Sequence, residues 1–86
     1  MVTQEEIRSA VSKGDVIIGY RESIKYIKSN TPKLVVIANN IPDRMKKNLE
    51  DILAVSGAKL EMFEKDSVSL GVLCGKPFSI SVLVIK

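Results

Sequence analysis

A glycine and three cations early in the chain have a spacing that suits an anionic ligand. The glycine is Gly19, and the cations are Arg21, Lys25 and Lys28. If a helix begins after the glycine, the cations lie on one face, and the unpaired N–H groups of the first turn favour phosphate. Glu22 adds a carboxylate that can accept hydrogen bonds from base amino groups. Taken alone, the segment is more typical of an amphipathic helix with a solvated charged face.

Two further segments carry groups that can contact nucleic acid. Asn39 and Asn40 follow an apolar run, and an amide presents a donor and an acceptor together to a base edge. Turn formation and helix capping are the alternative use of these amides. Gly75, Lys76 and Phe78 place a cation and an aromatic ring in one predicted loop, and bases stack on such rings for about 1–3 kcal/mol each. Alternatively, Phe78 begins a strand and packs inward.

The composition excludes several kinds of chemistry. The chain has no histidine, which excludes Ser-His-Asp and Cys-His catalysis and histidine-ligated zinc. Its one cysteine, Cys74, can form neither an intramolecular disulfide nor a thiolate cluster. No general base accompanies this thiol, so we expect a small core residue rather than a nucleophile. We therefore predict a protein that is not an enzyme and that needs no cofactor and no metal.

The charge and the hydrophobic pattern limit the choice of partner and location. The 86 residues carry 13 Lys and Arg against 10 Asp and Glu, a net charge of +3 that permits an anionic partner without requiring one. No apolar run approaches the roughly 20 residues that span a bilayer, so we expect no membrane association. The first residues lack the pattern of a secretory signal, and we expect a reduced, cytoplasmic setting. The length suggests a single domain over residues 1–86.

The elements that must position these groups alternate between helix and strand. Periodicity and capping signals predict helices over residues 4–13, 20–28, from Pro42 to before Gly57, and from Asp66 or Ser67 to near Leu73. Short apolar runs predict strands over residues 16–18, 34–38, 59–63 and 79–85, and we expect the first of them to be buried. The order indicates an α/β fold, a three-layer α/β/α sandwich with a four-stranded mixed sheet. We expect the last strand to be central, and the short connection before it allows an antiparallel direction.

This topology brings the three candidate segments together. Gly19 follows the first strand, Asn39 and Asn40 follow the second, and the Gly75 loop precedes the last. In the predicted sheet all three reach the same edge. A helix N-terminus, several cations, two amides and an aromatic ring would meet there, as in proteins that recognise irregular RNA with splayed bases.

The same three segments also resemble a known family. The matching motifs are Lys13-Gly14 followed by Gly19-Tyr20-Arg21 with Ser23 and Lys25, residues 33–40 followed by Pro42, and residues 67–71 followed by Cys74-Gly75-Lys76-Pro77-Phe78. In this order and spacing, over nearly the whole chain, they resemble the L-thirty-e family of large-subunit ribosomal proteins. That family belongs to the L-seven-Ae group of kink-turn-binding RNA proteins.

The resemblance implies a non-catalytic structural protein of the large ribosomal subunit that binds a kink-turn in ribosomal RNA. In that family the residues matching Gly19 and Arg21 approach sheared G·A pairs. The residue matching Asn40 also contacts the RNA, and the aromatic matching Phe78 packs near a flipped-out nucleotide. The resemblance further implies neighbouring ribosomal proteins as partners, a location in the cytoplasmic ribosome, and a monomer when free of RNA.

One position departs from the family pattern. The wider group often has an Asn-Glu pair where this chain has Arg21-Glu22, whereas the L-thirty-e family more often has a basic or hydroxyl residue at position 22. Glu22 therefore favours an alternative function, a kink-turn-binding subunit of an RNA-guided modification or RNA-processing ribonucleoprotein. Lys76 and Phe78 favour the ribosome.

Overall fold

The computed structural model describes residues 2–86, which alternate between helices and strands. The helices are α1 (Gln4–Lys13), α2 (Tyr20–Ser29), α3 (Asp43–Ser56) and α4 (Ser67–Leu73). The strands are β1 (Val16–Ile18), β2 (Leu34–Ile37), β3 (Lys59–Met62) and β4 (Val82–Ile85). None of these helices is long and apolar enough to cross a membrane.

The strands form one mixed sheet in the order β1-β4-β2-β3. β4 runs antiparallel to both of its neighbours, and β2 pairs with β3 in parallel. The C-terminal ends of β1, β2 and β3 therefore meet the N-terminal end of β4 at one edge of the sheet. We call this edge, with the residues that follow β1, β2 and β3 and those that precede β4, the Gly19 edge.

Two hydrophobic cores cover the two faces of the sheet. Alternate residues of β2 point to opposite faces, because side chains alternate along a strand. Val36 packs with Ile7 of α1 and Leu70 of α4 in one core, whereas Val35 packs with Leu49 of α3 in the other. The second core also contains Ile27 of α2, and the predicted three-layer α/β/α sandwich is confirmed.

Local signals correctly predicted the bounds of α1 and α4 and the end of α3, whereas α2 extends one residue farther, to Ser29, and α3 begins at Asp43 after Pro42. The Thr3 side chain accepts a hydrogen bond from the Glu6 N–H, and α1 ends at Gly14 in the left-handed region. Gly57 ends α3 with a φ of 75°, a conformation that glycine adopts without strain. The Asp66 carboxylate caps α4 by accepting from the Ser69 N–H at 2.9 Å.

The predictions for all four strands need correction, three in their bounds and one in its burial. β4 begins at Val82 instead of residue 79, since the Ile80 N–H bonds to the Ser67 carbonyl of α4 rather than to a strand. β2 and β3 each end one residue earlier than predicted. β1 is half-buried instead of buried, because it pairs with β4 alone and lies at the side of the sheet.

Candidate nucleic-acid interface

Gly19 ties the start of α2 to the start of β4. Its N–H donates to the Val82 carbonyl at 3.1 Å, and its own carbonyl accepts from the Ser23 N–H at 3.0 Å. Its φ of 104° lies in the region that disfavours residues with a Cβ. A Cβ here would point into open space, with nothing within 4 Å, so the backbone is accessible from outside. The first turn of α2 therefore opens onto the Gly19 edge.

Asn40 joins the β2–α3 loop to α4. Its Oδ1 accepts from the Ser67 N–H at 2.9 Å, and its Nδ2 donates to the Ser67 Oγ at 3.3 Å. Ser67 in turn accepts at its carbonyl from the Ile80 N–H at 3.0 Å. An amide offers two donors and two acceptor sites, so one of each remains available on the exposed Asn40 side chain. The second and third candidate segments are thus linked through one serine.

Asn39 is also exposed, and weaker bonds hold its side chain. Its Nδ2 donates to the Glu64 carbonyl at 3.4 Å, and its backbone N–H donates to the Lys65 carbonyl at 3.1 Å. These bonds connect the end of β2 to the turn that follows β3. They leave the Asn39 side-chain oxygen accessible at the Gly19 edge.

The loop at residues 75–78 folds back over α4. The Lys76 N–H donates to the Gly71 carbonyl at 3.0 Å, and the Phe78 carbonyl lies directly against Gly71. The Phe78 side chain is 56% exposed, so the alternative of an inward-packed ring is wrong. It lies beside two other exposed apolar residues, Val68 and Val72 of α4, and all three line one shallow hollow with Lys76. The ring is available for stacking.

The structure brings Arg21 to the Gly19 edge but not Lys28. Arg21 lies in the first turn of α2 and is exposed. Lys28 lies in the last turn, about 10 Å farther along the helix axis at 1.5 Å per residue. Between them, Lys25 and Glu22 form an ion pair at 3.9 Å with both side chains mostly exposed, so it contributes little stability. Gly75 has a φ of 71° and lies in the turn after α4.

The first turn of α3 adds cations that the sequence reasoning missed. α3 begins at Asp43, directly after the Asn39-Asn40 turn, so Arg44 lies exposed beside the Gly19 edge. The Tyr20 hydroxyl accepts a hydrogen bond from the Asn48 side chain, which links the start of α2 to the second turn of α3. The sequence contained this signal, since a helix that starts at Pro42 must direct its first turn to the same edge.

Cys74 behaves as a core residue. It is 7% exposed and packs in the core between the sheet, α1 and α4. Burial raises the pKa of its thiol, while the charge of Lys76 opposes the shift. At neutral pH the group is therefore a protonated thiol and a poor nucleophile. Across residues 2–86, no cluster of three or more potential metal ligands occurs.

Comparison with known proteins gives close sequence relatives among archaea. A protein of Methanosphaera stadtmanae, named large ribosomal subunit protein eL30, is 40% identical over 86 residues, which are 100% of this chain and 88% of that protein. The protein of the same name from Methanothermobacter thermautotrophicus is 41% identical over 80 residues, covering 93% of this chain and 82% of that one.

Solved structures share the fold at lower identity. A Giardia lamblia 15.5kD RNA binding protein superposes with a TM-score of 0.78 at 20% identity, covering 92% of this chain and 66% of that chain. A protein with unknown function from Bacillus halodurans C gives a TM-score of 0.84 at 19% identity, covering 93% and 79%. The model of the ribosomal protein L7Ae/L30e/S12e/Gadd45 family matches residues 1–86, which confirms the resemblance found in the sequence: the chain belongs to this family.

Proposed function

We propose that this chain is a structural protein of the large ribosomal subunit, in the cytoplasmic ribosome, and that it binds a kink-turn in ribosomal RNA at the Gly19 edge. Its archaeal relatives carry the name of a large-subunit protein, which supports the ribosomal role and a non-catalytic one. One observation supports the site above all others. Hydrogen bonds through Val82, Ser67 and Ile80 join all three candidate segments at a single edge.

The groups at this edge suit an RNA with a sharp bend and splayed bases. The open backbone at Gly19 lets a phosphate or sugar approach the first turn of α2 closely. The free donor and acceptor of Asn40 match a base edge, and the exposed Phe78 ring can carry an unstacked base. Arg21 and Arg44 supply charge beside these contacts. Proteins recognise irregular RNA by this combination of shape, stacking and a few base contacts.

Binding to two RNA hairpins tests the kink-turn proposal. One hairpin contains a kink-turn, and its control has the sheared G·A pairs replaced by Watson–Crick pairs. Arg21→Ala is the test variant, and Lys28→Ala is the matched control, because it removes the same charge from the far end of the same helix. We expect Arg21→Ala to weaken kink-turn binding by about 5- to 150-fold, the value of a good Arg–base contact. Lys28→Ala should lose much less.

The outcomes separate the kink-turn claim from the ribosomal one. Equal affinity of the wild-type protein for both hairpins, or equal losses in the two variants, would refute kink-turn binding at this edge. Sedimentation of the tagged protein with large ribosomal subunits checks the ribosomal role independently. Recovery with small guide RNAs instead would favour the alternative ribonucleoprotein subunit that Glu22 suggests.

A further inference from the structure

A second basic surface lies at the opposite end of the sheet. Lys86 follows β4, Lys33 precedes β2, and Lys59 is the first residue of β3. Lys13 in the last turn of α1 lies beside them, and Lys13, Lys33 and Lys86 line one shallow hollow. We call these four lysines the lysine edge. Lys13 and Lys33 fall within the sequence motifs that resemble the family, but none of the four lysines lies at the Gly19 edge.

Strand pairing fixes the order of these lysines. β4, β2 and β3 are consecutive in the sheet, so the backbones of Lys86 and Lys33, just beyond β4 and β2, lie about one strand spacing of 4.8 Å apart, and Lys59 is offset from Lys33 by one residue. The Lys33 N–H donates to the Ile85 carbonyl at 3.0 Å, and Lys59 pairs with Leu34 in the β2–β3 ladder. The backbones of these three lysines therefore lie close together at one end of the sheet, and their side chains are exposed.

The charge at this edge is only partly balanced. Asp15 and Glu6 are the acidic residues that line the same hollow, against three lysines there and Lys59 next to it. In the part of the chain that the structure describes, no carboxylate oxygen lies within 4.0 Å of these ammonium groups. Glu61 lies on the same strand as Lys59, two residues away from the edge. Even with the main-chain carboxylate of Lys86 counted beside Glu6 and Asp15, the four lysines outnumber the acidic groups, so the lysine edge carries a small excess of positive charge.

We propose that the lysine edge binds the phosphate backbone of a second RNA segment. Lysine is a flexible point charge suited to phosphates, and the hollow is lined by no aromatic ring and no side-chain amide that could read a base. Binding here is therefore independent of sequence. The proposal goes beyond the kink-turn site, because four-residue strands separate the two edges by roughly 13 Å. One protein can then hold two RNA segments together.

A perfectly paired RNA duplex without G·A pairs is the probe, titrated by fluorescence anisotropy at several salt concentrations. The test variant carries Lys33→Gln, Lys59→Gln and Lys86→Gln, which remove charge and keep most of each side chain. The control carries Arg8→Gln and Lys47→Gln, two exposed cations that belong to neither edge, and it is compared with the double variant Lys33→Gln and Lys59→Gln, which has the same net charge. Each titration is run alone and with one equivalent of unlabelled kink-turn RNA, which fills the tighter Gly19 edge and leaves the weaker lysine edge free if that proposal is right.

The expected result is a change in salt dependence. Three phosphate contacts predict roughly a 40-fold weakening of wild-type binding between about 50 and 200 mM salt. In the test variant, binding should weaken much less between these salt concentrations, whereas in the control it should weaken as much as in the wild type. The duplex should still bind when kink-turn RNA is present. If kink-turn binding fails, the duplex titration without it still tests the lysine edge.

Three outcomes would overturn the proposal. Equal salt slopes in the test and control variants would show that these lysines make no phosphate contacts. Complete competition between the duplex and the kink-turn RNA would assign both to one surface. Lysine-dependent binding of polyglutamate without binding of the duplex would identify an acidic protein as the partner. The Tm of each variant shows whether the lysines stabilise the fold, for example through favourable charge at the C-terminal ends of α1 and α2. If the triple variant is unstable, the single variant Lys59→Gln repeats the test.

Discussion

Gly71 should be intolerant of alanine, although the same change in an ordinary helix is stabilising. A Cβ built on Gly71 would lie 2.1 Å from the Phe78 carbonyl oxygen and 3.3 Å from the Ser79 Cα. Both atoms belong to the backbone, so no side-chain rotation relieves the clash. The loop at residues 75–78 would have to move outward by about 1 Å to restore a normal contact.

The two opposing effects have known sizes. Alanine gains about 1 kcal/mol over glycine in a helix interior. Overpacking costs about 1–3 kcal/mol, and a rigid backbone clash lies at the upper end of that range. We therefore expect Gly71→Ala to lower the free energy of unfolding by about 2 kcal/mol, which lowers Tm by about 10 °C in a domain of this size.

Urea unfolding and hydrogen exchange provide the assay for Gly71. Val72→Ala is the matched control, since Val72 is the next residue of α4 and is 71% exposed. Protection of the Ile80 N–H, which bonds to Ser67, should fall in Gly71→Ala, whereas that of the Gly19 N–H should fall only with global stability. An unchanged or raised Tm in Gly71→Ala would refute the packing argument, because helix propensity would then have prevailed.

Three further predictions concern buried polar groups. Ser67→Ala removes the acceptor of the Asn40 amide and should cost about 0.5–1.5 kcal/mol. Ser23→Ala should be neutral or stabilising, because the fully buried Ser23 Oγ has no hydrogen-bond partner within residues 2–86; equal losses in urea unfolding would contradict this contrast. Burial raises the pKa of the Cys74 thiol in the folded protein. The stability that the protonated thiol contributes is therefore complete below its pKa in the unfolded chain, about 8.5, and declines as the pH rises above that value. Unfolding from pH 7 to 10 should show a steeper decline in wild type than in Cys74→Ala, and parallel curves would contradict the assignment.

Local signals were sufficient for most of the fold. The bounds of α1 and β1 agree with the prediction because their determinants lie within a few residues, such as the Thr3 cap and Gly14. The start of β4 was predicted three residues too early because Ile80 is apolar and strand-like, yet its N–H bonds to Ser67, 13 positions earlier in the chain. A single sequence does not show that a backbone N–H will bond to a carbonyl so distant in the chain.

The candidate site was predictable only in part for the same reason. Topology correctly predicted that the segments at Gly19, Asn40 and Phe78 converge, because strand order fixes which loops share an edge. Helical periodicity correctly places Lys28 on the same face of α2 as Arg21. It does not show that Lys28, in the last turn of the helix, lies too far along the helix axis to reach the Gly19 edge. The lysine edge was missed because its members are far apart in the chain and meet only through strand pairing.

The bonds that build the Gly19 edge would also preorganise it for the RNA binding proposed above. Ordering a loop on association weakens affinity, and here the Asn40–Ser67 and Gly19–Val82 bonds hold the loops in place before any RNA arrives. The same Asn40 amide faces outward with its remaining donor and acceptor. Loss of this side chain would therefore lower stability and RNA affinity together. Ser67→Ala separates the effect on stability from the effect on RNA affinity. It removes the bond from the Asn40 Nδ2 to the Ser67 Oγ but keeps the Asn40 side chain. RNA affinity should therefore fall only to the extent that the Asn40 side chain becomes less ordered.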